Sequence, residues 1–185
     1  MKLILHSCCA PCTTYSLDVL QQEGHEIMGF FYNPNIHPYV EFMNRLKSYE
    51  DFVSIKGINA KIDDSYGLRL FTDKVYELKS LKTRCEICYE IRLLKTAELT
   101  KKMGYDAFTT TLTISPYQNH ELIKKIGLKV AEQIGVEFIY YDFREGYKRS
   151  IEISKELELY RQKYCGCIFS EEERYSPKFK RKNGK

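Results

Sequence analysis

Seven cysteines in 185 residues fall into three tight clusters, Cys8-Cys9-Ala10-Pro11-Cys12, Cys85-Glu86-Ile87-Cys88 and Cys165-Gly166-Cys167, with none elsewhere. Scattered buried cysteines behave as small hydrophobes and need no particular spacing. Thiols held two or three residues apart can grip one metal centre or exchange one disulfide. No cysteine here is left over as packing material, so sulfur chemistry is the first constraint on what the chain builds.

The length suits one large domain, and no Pro/Gly/Ser-rich stretch divides it. We read an α/β domain over residues 1–176 and a basic tail over 177–185. Apolar residues make up 43% of the chain, which excludes the disordered class and makes a compact monomer the expectation. Residues 1–6 are too short an apolar run for a signal peptide or a membrane span, so no membrane partner is expected and the location is cytoplasmic. In that compartment thiols stay reduced, and cysteine clusters bind metal or turn over as redox pairs more often than they staple a fold. Net charge is only +4, but Pro177-Lys178-Phe179-Lys180-Arg181-Lys182 opens a densely basic end. Such a tail suits nucleic acid or simply solvation.

Along the chain, residues 2–7 predict a buried strand and 11–23 a helix, so Cys8, Cys9 and Cys12 lie at a strand-to-helix junction. A strand at 26–32, a helix at about 39–56 and a brief strand at 60–62 follow. A helix-rich stretch from about 68 to 103 carries Cys85 and Cys88. Residues 105–112, rich in threonine and aromatics, predict a strand; then come a helix to 133, a strand at 136–141 and a last helix ending just before Cys165. Alternating strands and helices imply one parallel sheet with helices on both faces, its ligands outside the carboxyl ends of the strands.

The helix start behind Cys8-Cys9 favours thiolate, and adjacent cysteines suit a multi-iron cluster better than a closed zinc site, although a structural zinc stays open. Taking two thiols from each of the first two segments gives Cys8, Cys9, Cys85 and Cys88 as ligands of a [4Fe–4S] cluster. Cys12 is then a spare: it replaces Cys8 or Cys9, holds a second metal, or meets the substrate. Cys165-Gly166-Cys167 fits a strained, easily reduced disulfide, with two further metal ligands as the competing view. Asp142 and Arg144 follow the last strand, where a carboxylate could hold metal or give a proton and an arginine could grip phosphate; a helix cap with a salt bridge is the ordinary alternative. Tyr32, Tyr117, Tyr140 and Tyr141 could stack on bases, with core packing the default. No Gly-x-Gly-x-x-Gly or phosphate-binding Gly-Lys loop occurs, so electrons are expected from an unidentified protein or small reductant.

Four stretches, His6-Ser7-Cys8-Cys9-Ala10-Pro11-Cys12, Cys85-Glu86-Ile87-Cys88-Tyr89, Thr113-Ile114-Ser115-Pro116-Tyr117 and Tyr164-Cys165-Gly166-Cys167, together resemble the QueH-type epoxyqueuosine reductases, and Asp142-Phe143-Arg144-Glu145-Gly146-Tyr147 is similar too. The resemblance runs essentially end to end. It implies a cobalamin-independent oxidoreductase that removes the epoxide oxygen of epoxyqueuosine as water at the tRNA wobble position, the last step of queuosine synthesis. It also implies a fold similar to the adenine nucleotide alpha hydrolase-like (Rossmann-like) group, with a helical insertion carrying Cys85 and Cys88. The family carries a [4Fe–4S] cluster, here on Cys8, Cys9, Cys85 and Cys88, and is associated with an additional mononuclear iron, for which Cys12 is a candidate. Cys165 and Cys167 would form its redox-active pair, and Asp142 or a tyrosine would protonate the epoxide oxygen.

Overall fold

A computed structural model describes residues 1–77 and 84–176. The basic tail at 177–185 lies outside the described residues. Five parallel strands form one sheet in the order β3-β2-β1-β4-β5: β1 Lys2–His6, β2 Glu26–Tyr32, β3 Ala60–Asp63, β4 Ala107–Thr110 and β5 Glu137–Phe138. The helices are α1 Ala10–Gln22, α2 Tyr39–Lys56, α3 Leu68–Glu77, α4 Arg84–Met103, α5 His120–Ile134, α6 Tyr147–Glu156 and α7 Ile168–Tyr175.

β1 is central because Leu3, Ile4 and Leu5 have no polar face to give to water, and a parallel strand covered on both sides is where such a run can go. Leu3 and Leu5 point to one face, packing with Leu17 and Leu20 of α1 and Phe42 and Phe52 of α2. Ile4 points to the other, against Leu93 and Ala97 of α4 and Ile126 and Val130 of α5. The two helical layers expected from the alternation are present. On β2, Gly29 is needed because a Cβ there would stand 2.2 Å from the Tyr49 hydroxyl. Among the described residues, no helix is long and apolar enough to cross a membrane.

The chain runs outward from β1 to β2 and β3, then returns through α3 and α4 to β4 on the other side of β1. The strand order therefore reverses between β1 and β4, and that reversal opens a crevice at their carboxyl ends. Three elements depart from the sequence expectations. The strand expected at 105–112 stops at Thr110, whose hydroxyl accepts from Leu112 N at 3.2 Å and caps a 3₁₀ turn over Thr111–Ile114. The strand expected at 136–141 pairs only at Glu137–Phe138. The last long helix ends at Glu156 rather than beside Cys165, and a further helix, α7, follows Cys167.

Candidate active site

The β1–α1 turn enters the crevice between β1 and β4. Cys9 is the N-cap of α1: its Sγ accepts from Cys12 N at 3.3 Å, so a thiol occupies the place where serine or aspartate usually satisfies the first amides. That geometry puts the Sγ atoms of Cys8, Cys9 and Cys12 all within 4.8 Å of one another. Thr111 ties this group to β4, accepting from Cys8 N at 3.0 Å and donating to Cys8 Sγ at 3.3 Å. Gln162 Nε2 donates to Cys9 Sγ at 3.0 Å. Hydrogen bonds from Cys12, Cys9 and Thr111 hold the Cys8 thiol well below its ordinary pKa. Burial raises Cys9, and Cys12 is raised because it serves as the donor to Cys8. Of the three, Cys8 has the surroundings that most favour a thiolate.

Cys85 and Cys88 lie on the first turn of α4 and stand outside that 4.8 Å group. Cys85 is exposed; Cys88 is buried with Phe71, Val75, Ile87 and Cys167, and that burial pushes its thiol up to about 12. One turn further on, Arg92 donates from Nη2 to Cys88 Sγ at 2.9 Å and from Nε to the Cys88 carbonyl at 2.9 Å. Arg92 is 3% exposed, yet it forms no ion pair with a carboxylate among the described residues. The ionisable groups that bear on it are the thiols of Cys88, Cys8 and Cys165 and the phenol of Tyr89. An uncompensated buried guanidinium is costly, so its compensation has to come from sulfur.

The third cluster is held by α2 and the loop before it. Arg45, buried and ion-paired to Glu41 at 2.7 Å, donates to the carbonyls of Cys165 at 2.9 Å and Tyr164 at 3.0 Å. His37 N donates to the Gly166 carbonyl at 2.8 Å. The two thiols have separate surroundings: Cys165 is exposed and accepts from Gln118 Nε2 at 3.2 Å, whereas Cys167 is buried beside Ser170. Arg84, at the start of α4, grips Glu173 of α7 at 2.6 and 2.7 Å and so brings the second and third clusters side by side.

A cavity of about 330 Å³ joins these parts; Cys8, Cys12, Cys165, Arg92, Gln162 and Tyr164 are among its walls. The structure therefore gathers sulfur from the first and third clusters at one space, with Cys88 reached through Arg92. Asp142 stands apart from these parts. It does not line the cavity, and it is exposed and bound by Arg144 through Nε at 2.8 Å. Arg144 holds its carboxyl at about 2, so at neutral pH it has no proton to give. His6, also near the rim by sequence, is fully buried, hydrogen-bonded to Thr110 at 2.9 Å, and lowered to about 3 by burial, which keeps it neutral. Arg92, Arg45, Gln118 and Gln162 carry no motif; the one available signal was an arginine four residues after Cys88, on the same helix face.

The sulfurs fit an iron–sulfur group in donor chemistry: soft ligands, clustered, around a buried cation that lacks a carboxylate. Residues 3–173 match the family described as epoxyqueuosine reductase QueH. The chain is similar to epoxyqueuosine reductase QueH of Dehalococcoides mccartyi, 39% identical over 94% of each chain. It is also similar to that of Staphylococcus epidermidis, 39% identical over 91% of this chain and 76% of the other. A third relative, from Thermotoga maritima, is 36% identical over 91% and 89%. Among solved structures, a predicted subunit of tRNA methyltransferase from Methanocaldococcus jannaschii superposes with a TM-score of 0.54 at 15% identity, covering 84% of this chain and 74% of that one; it shares the fold. On the family match and on identity over nearly its whole length, the chain belongs to the epoxyqueuosine reductase QueH family.

Proposed function

We propose that this chain reduces epoxyqueuosine to queuosine at the tRNA wobble position, the final step of queuosine biosynthesis. The reaction opens an epoxide, takes up two electrons and two protons, and releases the oxygen as water. The observation that carries the reading is Arg92: a buried guanidinium set against Cys88 Sγ at 2.9 Å, lining a cavity with Cys8, and without a carboxylate among the described residues. A site that keeps such a cation dry is suited to several negative sulfurs at once.

Cys8, Cys9, Cys85 and Cys88 would hold a [4Fe–4S] cluster, and Cys12, at the cavity wall, would contribute to a mononuclear iron. Bound there, these groups supply one-electron transfer and Lewis acidity. The remaining roles belong to the chain itself. Cys165 and Cys167 together balance the reaction: joining two thiols as a disulfide gives up two electrons and two protons, the amount that opening the epoxide and releasing water consumes. Cys165 lines the cavity, so its thiol would meet a substrate bound there. Gln118 and Gln162 donate to Cys165 and Cys9 and hold those sulfurs in place. An external donor, with no cobalamin, would then reduce the disulfide. The reading carries with it a single catalytic domain over residues 1–176, a monomer, and action in the cytoplasm on tRNA.

The test is anaerobic reconstitution with iron and sulfide, addition of epoxyqueuosine-containing tRNA and a chemical reductant, and mass spectrometry of the digested nucleosides. Queuosine should appear, and zinc-loaded protein should yield none. Iron- and sulfide-loaded protein that leaves epoxyqueuosine unchanged overturns the proposal.

A further inference from the structure

Of the four tyrosines that the sequence offers for base stacking, three are used inside the protein. Tyr32 is buried and stacked on Phe30. The Tyr140 hydroxyl pairs with His120 at 2.9 Å, and Tyr141 stacks on Phe143 and donates to Glu23 at 2.7 Å. Tyr117 differs: it is 85% exposed and buries almost nothing. It stands at the wall of the sulfur-lined cavity beside Tyr147, with ring centroids 6.2 Å apart and planes at 82°.

Two phenol rings at a right angle leave a corner into which a flat heterocycle fits, face against one ring and edge against the other. The backbone beneath Tyr117 is tied down. Tyr117 N donates to Ser115 Oγ at 3.3 Å, and the next residue, Gln118, accepts from the Tyr89 hydroxyl at 2.6 Å while donating to Cys165 Sγ. A tyrosine with only two side-chain torsions loses little entropy when its ring takes a ligand. The electrostatics favour a polyanion: no carboxylate lines the cavity, Lys163 stands on its wall, and the Arg161 charge bears on Tyr147. Stacking rings beside cations are what single-stranded nucleic acid requires.

We infer that Tyr117 and Tyr147 form a stacking platform for the unpaired base next to the modified nucleoside in an RNA loop. Tyr117 is too exposed to serve the base that must reach Cys8, Cys12 and Cys165; it meets the neighbour that stays at the mouth. The inference rests on the reading that the chain acts on tRNA.

The probe is an anticodon stem–loop RNA carrying 2-aminopurine next to the wobble position, titrated into reconstituted protein. Wild type should quench the fluorescence as the base stacks. Tyr117→Ala should abolish the quench and weaken binding about tenfold, while Tyr117→Phe keeps both, because the ring rather than the hydroxyl does the work. An exposed side chain makes both variants fold normally, which equal melting curves would verify. Unchanged binding and quenching by Tyr117→Ala overturns the platform, and if turnover of modified tRNA persists in that variant with unaltered KM, the proposed function stands without it. Quenching by wild type with no queuosine formed leaves the platform and sinks the function. Absence of RNA binding by wild type overturns both.

Discussion

The main chain of His37 holds the main chain of Gly166: His37 N donates to the Gly166 carbonyl at 2.8 Å, and His37 Nδ1 accepts from Ile168 N at 3.3 Å. One residue from the loop before α2 thus fixes both sides of the Cys165-Gly166-Cys167 turn. Gly166 itself sits at φ +147, and a Cβ there would stand 3.2 Å from Arg45 Nη1 and 3.4 Å from Ile36.

Gly166→Ala follows from that crowding. The new methyl meets the guanidinium that carries the Cys165 carbonyl, in a backbone conformation that L side chains rarely adopt. We expect a loss of about 1–3 kcal/mol in denaturant unfolding. Turnover should fall at least tenfold because the thiol pair loses its anchor. Unaltered stability and rate would show that the turn is not held as tightly as its contacts indicate.

The sheet and the first sulfur turn were legible because their signals are local. Leu3-Ile4-Leu5 can only be a buried strand, and Pro11 just inside a helix start is common. The end of the chain was not, because tertiary partners decide it. Residues 157–163 have helix-forming composition, yet Glu158 adopts φ 51, Tyr160 N reaches Ser48 Oγ at 3.1 Å and Tyr164 donates to the His37 carbonyl, pulling the segment across α2. Arg45 was hidden for the same reason: it shares α2 with Phe42, Leu46 and Tyr49, and only the fold shows that its charge ends on the Cys165 carbonyl.

Acid should loosen this turn. Burial lowers His37 to about 4, below the 6.5 of an exposed histidine, and its Nδ1 must stay unprotonated to accept from Ile168 N. A depressed histidine favours the folded state fully above pH 6.5, and that contribution is lost as pH falls towards 4. The linkage is worth about 2 kcal/mol between pH 7 and pH 5. Urea midpoints measured at both pH values should drop accordingly, and His37→Gln should flatten part of the slope. An identical slope in the variant would remove His37 from the account.

Arg92→Leu deletes the buried cation and leaves a shorter apolar side chain in its place. If Arg92 compensates sulfur charge, iron and acid-labile sulfide per chain should fall by more than half after reconstitution, and Arg92→Lys should recover part of the loss. Cluster content equal to wild type in Arg92→Leu would mean that the guanidinium serves only the Cys88 carbonyl.

Asp142→Asn should leave kcat within about threefold of wild type, since the carboxylate is spent on Arg144 and does not face the cavity. A hundredfold loss would return Asp142 to the reaction as a proton carrier and require the loop at 142–146 to move during turnover.

Cys85→Ala and Cys12→Ala separate the two assignments of sulfur. Cys85 is exposed at the start of α4 and contributes little to packing, so its loss should not harm the fold. If it is a cluster ligand, the reconstituted variant should lack the visible absorption and the activity together. Cys12 belongs to the group within 4.8 Å, but in the proposed ligand set it is the one sulfur there not needed by the cluster. Cys12→Ala should therefore stay coloured and lose activity alone. A brown, active Cys85→Ala, or a colourless Cys12→Ala, would reassign the cluster to Cys8, Cys9 and Cys12 and leave the first turn of α4 to the substrate.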